Sequence, residues 1–352
     1  MTVGVLERQS GHEQVVYCQD AETGLKAIIG IYSTALGPAL GGARFYPYPS
    51  EDDAVEDVLR LSQAMAHKNA LAGLGLGGGK AVIIGDPGVD KTMPLLRAYG
   101  RAVTALGGRY ITACDVGTDE HDMDVIAQQC EHVVGCSPKL GGSGDPSAMT
   151  AYGVYRGMLA CAEHLWGTPS LKRRRVGISG VGKVGHRLAG MLGDTGAEIV
   201  VTDVKQEPIE KLQRSLPQVE VVADTDSLIR SDLDVYAPCA LGGALNDHTV
   251  SVLRARIVCG AANNQLAHDG LDKELFDLNV LYAPDYVVNA GGVIQVADEF
   301  NGFDIARVRT RVGDIYATTR DVLRASATDG LPTGQAADHI AESRLSGASE
   351  LN

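Results

Sequence analysis

Metal-ligand spacing is missing from this sequence. Its seven cysteines, at positions 18, 114, 130, 136, 161, 239 and 259, form no Cys-x-x-Cys pair, and the nine histidines supply no partner pattern. No metal site is expected. The odd count and wide scatter predict reduced thiols, as in cytoplasmic proteins. Aromatic residues other than tyrosine are scarce. With four Phe and one Trp, the core must be mainly aliphatic, as in parallel α/β sheets. Basic residues are outnumbered, 31 Lys and Arg against 44 Asp and Glu, and the net charge of −13 argues against nucleic acid or an anionic membrane surface as partner. No apolar run approaches the roughly 20 residues of a spanning helix. The first residues also lack the basic-then-apolar pattern of an export signal. The expected location is the cytoplasm.

What is present is length, glycine and alternation. A chain of 352 residues is long for one core and predicts two domains. The 43 glycines are scattered, with no collagen-like period. The first ten residues read as frayed. Two apolar runs, Glu13 to Tyr17 and Gly24 to Ile31, flank a turn and predict a hairpin. Gly37 to Arg44 reads as a loop with close backbone packing. Ser50, followed by Glu51, Asp52 and Asp53, predicts a capped helix whose apolar spacing runs to Lys68.

Then comes Leu71-Ala72-Gly73-Leu74-Gly75-Leu76-Gly77-Gly78-Gly79-Lys80, followed by an apolar run. Glycines let other groups approach the backbone, and the run after Lys80 reads as a buried strand. Lys80 is thereby delivered to a place with little water and close neighbours, conditions that disfavour a charged ammonium. The plainer reading is a turn with an incidental lysine. Arg109 to Cys114 reads as a strand leading to Asp115-Val116-Gly117-Thr118. A carboxylate just past a strand end stands where α/β proteins put chemistry. Equally, Asp115 could cap the helix that follows.

Gly135 to Ser147 is rich in turn residues and predicts a boundary, placing one domain at 1–147 and a second at 148–327. Past it, Gly180, Gly182 and Gly185 satisfy Gly-x-Gly-x-x-Gly between an apolar strand and a helix, and Asp203 ends the next strand eighteen residues after Gly185. This is the context of a dinucleotide site: glycines for a tight turn, a helix N-terminus for the pyrophosphate, an acid for the ribose hydroxyls. Asp203 favours NAD, since it would repel the 2′-phosphate of NADP. The alternation of short strands continues to residue 285. Asn263, Asn264 and Asn289 sit at strand ends, where an amide could bond cofactor or substrate or serve turn chemistry alone. The tail is helical, and Thr333 reads as the cap of the last helix. The final residues read as disordered.

Two lysines and one aspartate beside an NAD half suit an amino acid. One cation can hold the α-carboxylate, a lysine can activate water, and a carboxylate can exchange a proton at nitrogen. Hydride loss from Cα gives an imine, which water hydrolyses to a ketone and ammonia.

The segments Ser33 to Gly42, Lys68-Asn69-Ala70, Gly77 to Lys80, Thr112 to Thr118, Gly180 to Gly185, Ala237 to Ala240, Gly260 to Asn264 and Tyr282 to Gly292 occur in fixed order across residues 12 to 345. In them the chain resembles the leucine/phenylalanine/valine branch of the Glu/Leu/Phe/Val dehydrogenase family, and within it the actinomycete valine dehydrogenases. The resemblance implies an α/β fold of two domains, an N-terminal substrate domain and a Rossmann-type NAD domain with an active-site cleft between, and a C-terminal helix (328–352) packing back on the first. It implies Lys80 as the water-activating lysine, Asp115 as the proton-exchanging carboxylate and Lys68 as the holder of the α-carboxylate. It gives Leu40, Gly41, Met65, Ala113, Val293 and Val296 as the side-chain pocket, and Asn289 and Asn263 as groups placing the carboxylate and nicotinamide. Thr150 would bond the carboxamide, and Gly180, Gly182, Lys183, Val184, Gly185, Asp203, Cys239, Ala240 and Ala261 would complete the cofactor site. Every pocket residue is apolar or featureless, which suits a branched aliphatic chain and leaves a glutamate carboxylate unpaired.

Two departures stand out. Cys114 replaces an acid often found before the catalytic aspartate in leucine enzymes, and Asp145-Pro146-Ser147 puts a proline between the domains. The expected reaction is NAD-dependent oxidative deamination of branched-chain L-amino acids, with ammonia and a 2-oxo acid as products and a homo-oligomeric enzyme. A phenylalanine-preferring enzyme of the same fold and a catalytically silent NAD-binding sensor are the alternatives.

Overall fold

The computed structural model describes Glu7, Gln9 and residues 11–349. The termini expected to be frayed or disordered lie largely outside those residues. The chain divides into two compact units, one of Met1–Gly144, Val296–Phe303 and Ala341–Asn352, the other of Asp145–Gln295 and Asp304–Ile340. The division thus falls three residues before the expected 147, and the second unit runs past 327. The last helix, Thr333–Ser349, begins in the second unit and ends in the first, so only its later turns belong with the N-terminal residues.

The first unit is built on five strands, β1 (Gln14–Asp20), β2 (Leu25–Ser33), β3 (Ala39–Tyr46), β4 (Gly77–Ile84) and β5 (Tyr110–Cys114). Their order is β1-β2-β4-β3-β5; β1, β2 and β4 pair antiparallel, while β3 runs parallel to β4 and β5. Side chains alternate across the sheet. One face packs Ile28 and Val82 against Ala54 and Val58 of helix α1 (Glu51–Leu71). On the other, Ile29, Ala43, Phe45, Ala81 and Ile83 meet helices α2 (Met93–Thr104) and α3 (Glu120–Ala127).

Two expectations are corrected here. Residues 39–46, read as part of a loop, form a central strand, and Gly77 to Lys80 lie inside β4 rather than in a turn before it. The glycines serve interstrand and helix approach. A Cβ on Gly41 would overlap the carbonyl of Gly79, and one on Gly78 would overlap the backbone of Ala66 in α1. Ser50 does cap α1, accepting from the N–H of Asp53.

The second unit holds six parallel strands, β6 (Arg175–Ser179), β7 (Glu198–Thr202), β8 (Glu220–Val221), β9 (Val235–Pro238), β10 (Ile257–Val258) and β11 (Leu281–Tyr282). The order β11-β10-β9-β6-β7-β8 is that of a doubly wound dinucleotide fold, with the chain reversing direction across the sheet at β6 and β9. Helices α4 (Ser147–Trp166) and α5 (Lys183–Asp194) flank it. Thr333 does not cap the last helix. It is the first helical residue, and its hydroxyl donates to the carbonyl of Tyr282 at 2.7 Å.

Candidate active site

In the first unit Lys80 lies on the helix-facing side of the sheet. Gly78 and Val82 face α1, so Lys80 between them faces it too. It is buried, at 6 % exposure, yet not alone: its Nζ lies 2.8 Å from Asp115 Oδ2. The same oxygen accepts from Arg44 Nε at 3.1 Å. Asp115 reaches across β3 because Gly42 has no side chain; a Cβ there would stand 2.9 Å from that of Asp115. Burial pushes the Asp115 carboxyl up, but Lys80 and then Arg44 outweigh it and hold it lowered, to about 2. Asp115 is not a helix cap. That role belongs to Asp119, which forms a capping box with Asp122.

Arg44 was not singled out from the sequence. Read as a loop residue, it had no face; read as a strand residue alternating with Gly42, it falls on the face of Lys80. Its Nη1 donates to Asp57 Oδ2 at 2.8 Å, and the Tyr48 hydroxyl donates to the same oxygen at 2.6 Å. Arg60 donates to Asp57 Oδ1 at 2.9 Å. These groups line a cavity of about 560 Å³ that Val116 also borders.

The remaining expected residues of this unit are distributed over neighbouring elements. Met65 and Lys68, both half-buried, are three apart on α1 and so share a face. Leu40 and Gly41 are buried on β3, and Ala113 lies opposite Gly42 on β5. Cys114 is exposed. Val296 falls in the short return segment of this unit.

In the second unit the glycine turn follows β6 and opens α5. Gly180 has φ +95°, and a Cβ on it would press on Ala240. A Cβ on Gly185 would overlap the carbonyl of Gly180. Gly182 faces open space and caps α5 without a side-chain hydrogen bond, which leaves the N-terminal amides of that helix for an anion. Lys183 is exposed and Val184 half-buried in the first turn.

Asp203 sits at the end of β7. Its Oδ2 accepts from the Val181 N–H at 2.8 Å and its Oδ1 from the Lys205 N–H at 2.9 Å. A cavity of about 640 Å³ opens here, lined by Gly180, Asp203, Pro238 and Ala240 together with Val204, Thr225 and Leu241. The last three were missed, since Val204 and Leu241 are loop residues beyond strand ends and Thr225 opens a short helix, and such positions carry no periodicity. Cys239 continues β9, its N–H donating to Ser179.

Near β10, Asn289 is buried and its Nδ2 donates to the Asn263 side chain at 2.8 Å and to the Ala261 carbonyl at 3.2 Å. Its Oδ1 is a buried acceptor without a partner. Gly292 packs on Thr150, whose hydroxyl donates to Pro146, and Val293 follows in the same half-buried turn. An open, uncapped helix start, an acid at the next strand end and an unsatisfied amide oxygen fit a dinucleotide. Among the described residues no group of His, Cys, Asp and Glu could hold a metal ion.

A lysine–aspartate pair in one unit and a glycine turn opening a helix in the other are compatible with an amino-acid dehydrogenase. Comparison with known proteins agrees. Residues 12–132 match the dimerisation domain of Glu/Leu/Phe/Val dehydrogenases, and residues 201–305 match the glutamate/leucine/phenylalanine/valine dehydrogenase domain. The chain is 60 % identical to a valine dehydrogenase of Streptomyces virginiae over 97 % of its length and 95 % of the relative's. Its identity to a leucine dehydrogenase of Bacillus subtilis is 48 %, covering 95 % and 91 %. Among solved structures, L-tryptophan dehydrogenase from Nostoc punctiforme superposes with a TM-score of 0.86 at 40 % identity, covering 97 % and 98 %. The chain belongs to the Glu/Leu/Phe/Val dehydrogenase family.

Proposed function

We propose that the protein oxidises branched-chain L-amino acids, valine foremost, with NAD, releasing a 2-oxo acid, ammonia and NADH. The observation that carries this is the pair of buried Lys80 and half-buried Asp115, 2.8 Å apart, in a unit where Leu40, Gly41 and Ala113 are apolar or featureless. Lys68 pairs with the substrate α-carboxylate. Asp115 takes a proton from the substrate ammonium, so that the nitrogen lone pair can form the C=N bond as hydride leaves Cα. NAD, when bound, accepts that hydride. Lys80 then draws a proton from a water that adds to the imine carbon, Asp115 returns its proton to the nitrogen, and the C–N bond breaks to release ammonia as the added hydroxyl loses its proton to solvent and becomes the carbonyl.

Asn289 and Asn263 place the carboxylate and nicotinamide, Thr150 bonds the carboxamide, and Asp203 selects NAD by bonding the ribose hydroxyls. The apolar pocket of Leu40, Gly41, Met65, Ala113, Val293 and Val296 rejects a carboxylate side chain by leaving it unpaired. The matched dimerisation domain and the position of β1 at the sheet edge support a homo-oligomer.

The test is NADH or NADPH appearance with valine, leucine, isoleucine, phenylalanine and glutamate. Branched-chain substrates are expected to exceed the other two in kcat/KM by at least about tenfold, with NAD preferred. Preference for phenylalanine or glutamate, or no reduced cofactor at all, overturns the proposal.

A further inference from the structure

We infer that Arg44 is a positioning residue for Asp115, held in place by Asp57 and Tyr48. The inference rests on the role proposed above for Asp115. Asp115 Oδ2 lies between two cations, Lys80 Nζ at 2.8 Å and Arg44 Nε at 3.1 Å. The two are not equivalent. Lys80 must change its proton and its partner during the proposed reaction, whereas a guanidinium stays charged at every working pH. Arg44 is the partner of Asp115 that keeps its charge and its place when Lys80 turns to water, so the carboxyl group stays positioned through that step.

The guanidinium can do this because it is itself fixed. One edge meets Asp115 through Nε, and Nη1 meets Asp57 Oδ2 at 2.8 Å. Asp57 is fixed in turn by the Tyr48 hydroxyl and by Arg60. Only a planar fork spans two carboxylates in this way; a lysine ammonium is a single point charge. Asp57 also lies eleven residues before Lys68 on α1, about three turns, so one helix face carries both the anchor of Arg44 and the proposed carboxylate holder.

Of the other titratable groups, Tyr110 on the opposite face of the sheet and Cys114 next in the chain are both pushed up, first by desolvation and also by the Asp115 charge. Tyr48 and Asp57 act on Arg44, and Asp119 and Glu299 on Cys114.

The test compares Arg44→Gln, Arg44→Lys and Tyr48→Phe. For Arg44→Gln, kcat for valine is expected to fall about a hundredfold, and the acid limb of the kcat/KM profile is expected to move up by about one pH unit. KM for NAD should stay within about twofold of wild type, as the cofactor turn is elsewhere. Arg44→Lys should restore the limb, because the charge returns, but leave kcat about tenfold low, because the fork does not. Tyr48→Phe, which removes one hydrogen bond two steps away, should lower kcat by a few fold and serves if Arg44→Gln does not fold. A wild-type limb and kcat in Arg44→Gln, or in Tyr48→Phe in its place, overturns the inference.

A carbon-13 titration of the Asp115 carboxyl separates this from the proposed function. The carboxyl should titrate at higher pH in Arg44→Gln, or in Tyr48→Phe in its place, than in wild type, whatever substrate the enzyme accepts. An unchanged titration overturns the inference, while a shifted titration in a protein that oxidises no amino acid overturns the function alone.

Discussion

Asp115 shows how a buried charge depends on its partners. Its folded pKa of about 2 lies below the ordinary value of 3.8, so the ionised form is the one that favours folding. That contribution is complete above about pH 4 and is lost as pH falls through about 2; the shift corresponds to about 2 kcal/mol. Replacing Asp115 by Asn leaves Lys80 without its anion and Arg44 with Asp57 alone, which costs a few kcal/mol at neutral pH. The gap between wild type and Asp115→Asn in urea unfolding should therefore be larger at pH 6 than at pH 3. A gap of equal size at both would show that the ion pairs contribute nothing. At this scale the sequence was informative about Lys80 and Asp115, because one ends a run of glycines and the other stands just past a strand end. It was silent about Arg44, whose significance comes from a neighbour 71 residues away.

Glycine was the main source of misreading among the elements. In β3 and β4 it marks backbone approach, but glycine is also the commonest turn residue, and local pattern cannot tell the two apart. The second unit was more legible, since its glycines follow an apolar strand and precede a helix, with an acid at the next strand end. The distinction can be measured. Gly42→Ala would put a Cβ 2.5 Å from the Cys114 carbonyl and 2.9 Å from the Asp115 Cβ, and should lower both the unfolding midpoint and turnover, the latter about a hundredfold through misplacement of Asp115. Gly190→Ala, in the interior of α5 with open space around it, should leave turnover unchanged and stabilise by up to about 1 kcal/mol. If both variants behave alike, close packing is not why β3 carries its glycines.

The whole chain is organised by segments that leave a unit and return. Glu299, in the return segment of the first unit, accepts from the Gly135 N–H and from the N–H and hydroxyl of Ser143. The last helix starts against Tyr282 and Tyr286 of the second unit. Its later turns belong to the first, where Glu342 accepts from the Tyr32 hydroxyl at 2.9 Å and pairs with His67. Arg344 donates to the carbonyls of Ala70 and Leu71 at the end of α1, satisfying acceptors that a helix terminus leaves open. Arg344→Ala should cost roughly 1–3 kcal/mol, and amide exchange in the last turn of α1 should speed up while that of α5 stays as it was. Unchanged exchange around residues 68–71 would show that solvent serves those carbonyls equally well. None of this was visible in the helical pattern, which registers that a segment is helical and not which unit each turn touches.

Asp203, in the ribose-binding role proposed for it, has a practical consequence for anyone wishing to alter cofactor choice. Each of its two oxygens already tethers a backbone N–H, one of them within the glycine turn itself. Trimming the acid to admit a phosphate would also cut the turn loose. A redesign must therefore bring a substitute acceptor for Val181 along with its new cation, and a single exchange at 203 should yield a floppy site before it yields a switched one.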